Sequence, residues 1–246
     1  MRIKSVIKYN LSEMKTSIMV FYVVIAAVMA LIGFSFIMMS GNNTNVNSGG
    51  TEAATVIFIF VVGLNSFKNN YLFLSTNGIS RKTQFMGFVS SAFIICVILS
   101  VIDGIYSNIL PQFINYESMF YQLYYTWADV LPKIQGIMTG FIWSISLYFL
   151  AVASGYFITI LYYRMNKILK IAVSITVPSV MFVVLPIVDG NYAEGKISNF
   201  LWNAMRTLGG FTVEMNPFTG VLSMTAGAVI ILGLAYLLVR KAGVKD

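Results

Sequence analysis

The chain has 246 residues, of which 58% are hydrophobic and 10% charged, with a net charge of +7. Its mean hydropathy is +0.80. A soluble globule cannot hide that much apolar side chain, and a disordered chain would be far more polar, so a polytopic membrane protein remains. Histidine is absent and Cys96 is the one cysteine. Imidazole chemistry, thiolate metal clusters and intrachain disulfides are therefore excluded.

Residues 2–15, RIKSVIKYNLSEMK, carry Ile3, Val6, Ile7, Leu11 and Met14 at helical spacing, with Arg2, Lys4, Lys8 and Lys15 on the other face. The pattern predicts an amphipathic elbow helix over 1–16, lying on an anionic leaflet; a plain basic flank is the alternative. A first span follows from about Ser17 to Met39, too long for a signal-peptide core and with no small-x-small site after it. Residues 41–51 read as a solvated loop, in which the Asn42-Asn43-Thr44 sequon is taken as chance. The second span covers about Ala53–Leu64 and runs less cleanly to Phe67.

The link over 65–80 continues into the third span as NSFKNNYLFLSTNGISRKTQF. Phe67, Tyr71 and Leu74 form one helical stripe, beside Lys68, Asn69 and Asn70. Asn77-Gly78 suits a helix stop with Gly78 at positive φ, and Ser80 suits an N-cap. Arg81 and Lys82 then stand at the membrane edge. An interfacial helix with no partner is the alternative reading of this link. The third span runs from about Thr83 to Ile102.

The next link, 103–133, is rich in aromatics, with Phe120, Tyr124 and Trp127 on one face, and reads as an interfacial belt. The fourth span covers about Ile137–Tyr163, with small residues at Gly136/Gly140 and Ala151/Gly155 that suit close packing within the chain. The fifth covers about Ile168–Val188, and Pro178 and Pro186 should kink it. The link 189–219 contains NFLWNAMRTLGG, a short helix expected in or dipping into the outer leaflet, and the sixth span covers about Val221–Val239.

Six spans put both termini on one side. Arg2, Lys4, Lys8, Lys15, Lys68, Arg81, Lys82, Arg164, Lys167, Lys170, Arg240, Lys241 and Lys245 lie on that side. Only Lys133, Lys196 and Arg206 lie on the other, with most of the acids. The positive-inside rule then makes both termini cytoplasmic, and Asn43 external. The basic balance is a topology signal and gives no support to nucleic-acid binding. The expected class is an all-α membrane protein with a single transmembrane domain over 1–246.

Enzymatic chemistry finds no footing. GNYAEGKIS, residues 190–198, has Ile197 where a P-loop needs Ser or Thr, and lies on the external side. Asp103 and Asp189 read as helix-end acids, without the GxGD context of an intramembrane protease. No charge falls at the centre of a span, which argues against ion coupling.

An N-terminal elbow, six spans, a helix between spans two and three that ends in NGISRK, and short helices between spans five and six resemble the permease subunit of a bacterial type-2 ABC exporter. The resemblance covers the chain by topology. At residue level it rests on FKNNYLFLSTNGISRKTQF, 67–85, and its nearest subtype is the phenol-soluble-modulin peptide exporters. It implies that 65–80 is a coupling helix that docks in a groove on a separate ATPase. Phe67, Tyr71 and Leu74 would be its apolar anchor, with Lys68, Asn69, Asn70 and Phe73 around them. It implies two ATPase copies holding ATP and magnesium, no cofactor on this chain, and a second permease, the same or a sister. The seam would come largely from spans one, two and five. The expected cargo is hydrophobic or amphipathic, a peptide or antibiotic-like molecule. The alternatives are a six-helix binding subunit of a small-molecule importer and a channel or immunity protein without an ATPase.

Overall fold

The computed structural model describes residues 2–39, 48–112, 116–128, 132–192, 194–211 and 215–240. Asn43 and the sequon around it lie outside the described residues. Six helices are long and apolar enough to cross a membrane.

The first, α1 (Arg2–Met39), is one helix of 38 residues. The N-terminal segment is thus not set off as a separate elbow. Nothing between residues 2 and 32 breaks a helix, since the segment has no proline and its first glycine is Gly33. At 1.5 Å per residue the rod is about 57 Å long. The second span, α2 (Thr51–Asn65), ends at Ser66, and a short helix, α3 (Lys68–Thr76), follows directly. Helix α4 (Arg81–Ile109) runs well past the expected end of the third span.

Two short helices, α5 (Met119–Leu123) and α6 (Tyr125–Ala128), precede α7 (Lys133–Arg164). The fifth span is α8 (Lys167–Ser179), a π-helical turn over Val180–Val184, and α9 (Leu185–Asn191). Helix α10 (Lys196–Gly209) leads to α11 (Pro217–Arg240). One two-residue parallel bridge joins β1 (Ser48–Gly49) to β2 (Tyr116–Glu117).

Helix α7 is the hub, flanked by α2, α4 and α11. Glycine makes its approach to α2 possible. A Cβ on Gly155 would stand 2.3 Å from Phe60 O, and one on Gly63 2.4 Å from Val152 O. The small pair expected to pack within the chain does so, and backbones this close gain dispersion along their length. Thr159 Oγ1 donates to Leu64 O (2.6 Å) and Ser100 Oγ to Phe141 O (3.1 Å), tying α2 and α4 to α7. Buried Ile59, Ile95, Leu99, Val152 and Ile160 fill the space between. Helix α1 lies along α4, where Val6 occupies the notch left by Gly87.

Pro178 and Pro186 flank the π-turn. Their missing N–H groups remove two i→i−4 bonds, and Leu185 N–H reaches back to Val180 O instead. The kink expected from the two prolines is therefore a change of helix register.

Candidate functional site

Helix α3 sits where the basic segments meet. Tyr9 of α1 stacks on Phe73 at 5.0 Å. Phe67 packs edge-on against Tyr163 of α7 at 5.4 Å. Arg81 Nη1 donates to Arg240 O at 2.8 Å. The start of α1, the 65–80 link and the ends of α7 and α11 thus share one end of the bundle, and it is the end that carries most of the lysines and arginines.

The helix terminates by a recognisable device. Gly78 adopts φ +68°, Gly78 N–H donates to Ser75 O (3.0 Å) and Ile79 N–H to Leu74 O (3.0 Å). These are the two bonds of a Schellman stop. Ser80 then caps α4 by accepting from Thr83 N–H at 3.3 Å. Both features had been legible in Asn77-Gly78-Ile79-Ser80. A Cβ on Gly78 meets nothing within 4 Å, so glycine is needed there for its backbone conformation alone.

The orientation of the stripe is the opposite of the expected one. Phe67, Tyr71 and Leu74 are 2%, 3% and 6% exposed. Phe67 stacks on Tyr71 (5.0 Å) and meets Tyr156 edge-on (5.7 Å). Their apolar surface is spent on the chain's own core, so they cannot fill a groove on another protein. Asn70 is also buried, which removes it from any rim. The face left outward carries Lys68, Asn69, Phe73 and Thr76, with Phe73 half exposed. Arg81 and Lys82 remain exposed beside it.

At the opposite end the structure assembles groups that sequence patterning had not joined. Asp103 lies inside α4 and is 2% exposed, not a solvated helix-end acid. Tyr22 of α1 donates to its Oδ1 (3.0 Å) and Tyr148 of α7 to its Oδ2 (2.5 Å). Close by, Tyr116 donates to Oε2 of buried Glu52 (3.2 Å) and lies 2.5 Å from Thr51 Oγ1. Burial, reinforced by the Glu52 charge, raises the Tyr116 phenol and keeps it a donor. Glu52 and Asp103 both border a cavity of about 540 Å³, with Ser100, Tyr121, Gly140 and Ser144. No spacing rule links residues 22, 52, 103, 116 and 148, which is why the cluster escaped sequence reading.

The aromatic link also folds inward. Phe120 and Tyr124 pack on Trp143 at 5.9 and 6.1 Å, and Tyr124 donates to Gly209 O. They are core residues rather than membrane anchors. Asp189 does act at a helix end. Its carboxylate accepts from Ile197 N–H (2.8 Å) and Ser198 N–H (3.0 Å), capping α10.

Among the described residues no cluster of metal-ligating side chains occurs. No protein-family model matches the chain, nor does any curated protein or solved structure.

Proposed function

We propose that the chain is the membrane-spanning permease subunit of an ATP-driven exporter for hydrophobic or amphipathic cargo, with its basic end in the cytoplasm of a bacterial cell. One observation carries the reading. Helix α3 presents Lys68, Asn69 and half-exposed Phe73 outward, Phe73 stacking on Tyr9 of α1, while Gln84 of α4 and Tyr156 and Tyr163 of α7 hold its other side. A force applied to that short helix reaches α1, α4 and α7 together. Such a lever suits coupling to an ATPase, which holds ATP and magnesium on its own chain. The α8–α9 span, exposed along its length apart from Asp189 and a few half-covered positions, supports a second permease in the assembly.

Purification from native membranes should bring down a Walker-motif ATPase in fixed ratio, and the chain alone should hydrolyse no ATP. Loss of Phe73 and Lys68 should weaken that association. Stoichiometric recovery of the chain without any ATPase, from membranes in which transport is active, would overturn the proposal.

The cavity bordered by Glu52 and Asp103 favours a second reading, a binding subunit of an importer that takes its ligand from the outer side. Transport assays in vesicles of known orientation separate the two, because the importer accumulates ligand where the exporter expels it.

A further inference from the structure

Four polar side chains from four directions converge beneath the first turn of α3. Asn10 comes from α1, Ser66 from the α2–α3 turn, Asn70 from α3 and Gln84 from α4. Their exposures are 2%, 7%, 5% and 6%. They border a cavity of about 20 Å³, room for a single water-sized particle, whose remaining walls include Phe67, Phe88, Tyr156 and Val239. Asn10 Oδ1, Asn70 Oδ1 and Gln84 Oε1 are buried and accept no hydrogen bond. Buried polar atoms are nearly always paired, so three orphans around one small space demand a common partner.

Chemistry sets the orientation of two of the three amides, Gln84 and Asn10. Gln84 Nε2 donates to Ile79 O at 2.8 Å, and a flipped amide would set oxygen against that carbonyl. Asn10 Nδ2 donates to Ser91 Oγ at 3.3 Å. The Ser91 proton is already given to Phe88 O at 2.9 Å, so a flipped Asn10 would also face oxygen with oxygen. Ser66 gives its own proton to Val62 O (2.5 Å) and keeps its lone pairs free. Besides Tyr71 and Tyr156, which also border the space, the cavity is lined by three amide oxygens that accept no bond, from Asn10, Asn70 and Gln84, and by the Ser66 hydroxyl oxygen.

A water molecule has two protons and leaves acceptors unmatched. A bare cation is bound by all four. Calcium and magnesium rely on carboxylates, and none lines this space. Neutral carbonyl oxygens are the ligands that replace the hydration shell of a monovalent ion. We propose that this cavity binds one dehydrated alkali cation, sodium or potassium, through Asn10, Ser66, Asn70 and Gln84. The ion joins α3 to α1 and α4 from within. The proposal needs no ATPase and stands apart from the exporter reading.

The test is thermal unfolding of the purified full chain in detergent, at equal ionic strength in sodium, potassium or N-methylglucamine chloride. Sodium or potassium should raise the midpoint by about 3 °C or more over N-methylglucamine, saturably. Gln84→Met and Asn10→Leu should abolish the difference. Should those variants fail to fold, thallium(I) soaked into crystals of the unaltered protein should give an anomalous peak within reach of the three amide oxygens. Equal midpoints in all three salts, or thallium crystals without that peak, would overturn the proposal and leave a water in the cavity. A salt effect that survives both substitutions would overturn it too, by placing the ion elsewhere.

Discussion

Helix α7 and the α8–α9 span are both apolar enough to cross a membrane, yet half of the most hydropathic stretch of the first is buried and none of the second. Hydropathy measures transfer from water to oil and says nothing about who the neighbour is. Composition along the helix does. Helix α7 carries Gly155, which admits the backbone of α2, Gly136 and Gly140, which leave room for Tyr121 and Phe120, and Thr159, which gives its hydroxyl proton to Leu64 O of α2. The α8–α9 span is rich in valine, isoleucine and leucine with two prolines, and its Ser174 pairs hydroxyls with Tyr162 of α7 at 3.0 Å. A membrane helix whose glycines stand against a neighbour's backbone is built for protein; the α8–α9 span, whose Gly190 meets nothing, is left for lipid or a surface brought by another chain.

The sharpest way to break this contrast is Gly155→Leu. Its side chain would start 2.3 Å from Phe60 O, a clash with backbone that no rotamer relieves. We expect no monodisperse protein from detergent extraction. A well-folded variant would show that α2 and α7 are not held as described. Next comes Phe67→Ala, which opens a cavity among Tyr71, Tyr156 and Tyr163 and should cost about 3–5 kcal/mol of stability, seen as a lowered unfolding midpoint. Phe73→Ala, on the outward face of the same helix, removes only the stack with Tyr9 and should lower the midpoint much less than Phe67→Ala; if the exporter proposal holds, it lowers ATPase association about tenfold. Equal effects of the two on stability would erase the distinction between the faces of α3.

Tyr148→Phe removes one of the two phenols that pair with Asp103. Leaving that buried oxygen unmatched should cost about 1–3 kcal/mol, read from the same unfolding curves. Phe182→Ala lies at the other extreme. Phe182 is 81% exposed, and its loss should change the stability of the single chain by less than about 0.5 kcal/mol. If a second permease packs on this span, the dimer fraction at native mass falls while the fold survives. An unchanged dimer fraction assigns the span to lipid.

Much of the architecture was visible in linear patterns. Apolar runs located all six spans, because bilayer thickness imposes a length on each. Gly78 and Ser80 were legible because helix ends need particular local chemistry, and Pro178 and Pro186 because they delete hydrogen bonds wherever they stand. The elbow read over 1–16 is not set off in the structure, since an amphipathic pattern continues smoothly into a span when no residue interrupts it. The stripe of Phe67, Tyr71 and Leu74 predicted a buried face and left its partner open; here the partner is α7 and α4. Asp103 reads as a terminal acid by position, and only the placement of Tyr22 and Tyr148 across it shows that it is interior.

The unbroken α1 has a mechanical consequence. Tyr22, bonded to Asp103, pins the rod well away from its start. Ile3 lies nineteen residues, about 28 Å, from that fulcrum. A tilt of about 5° about Tyr22 carries Ile3 sideways by about 2.5 Å. Tyr9, stacked on Phe73, rides the same arm at a shorter radius and drags α3 with it. A small rotation about the middle of the rod thereby becomes a displacement about the size of a hydrogen bond at the basic end.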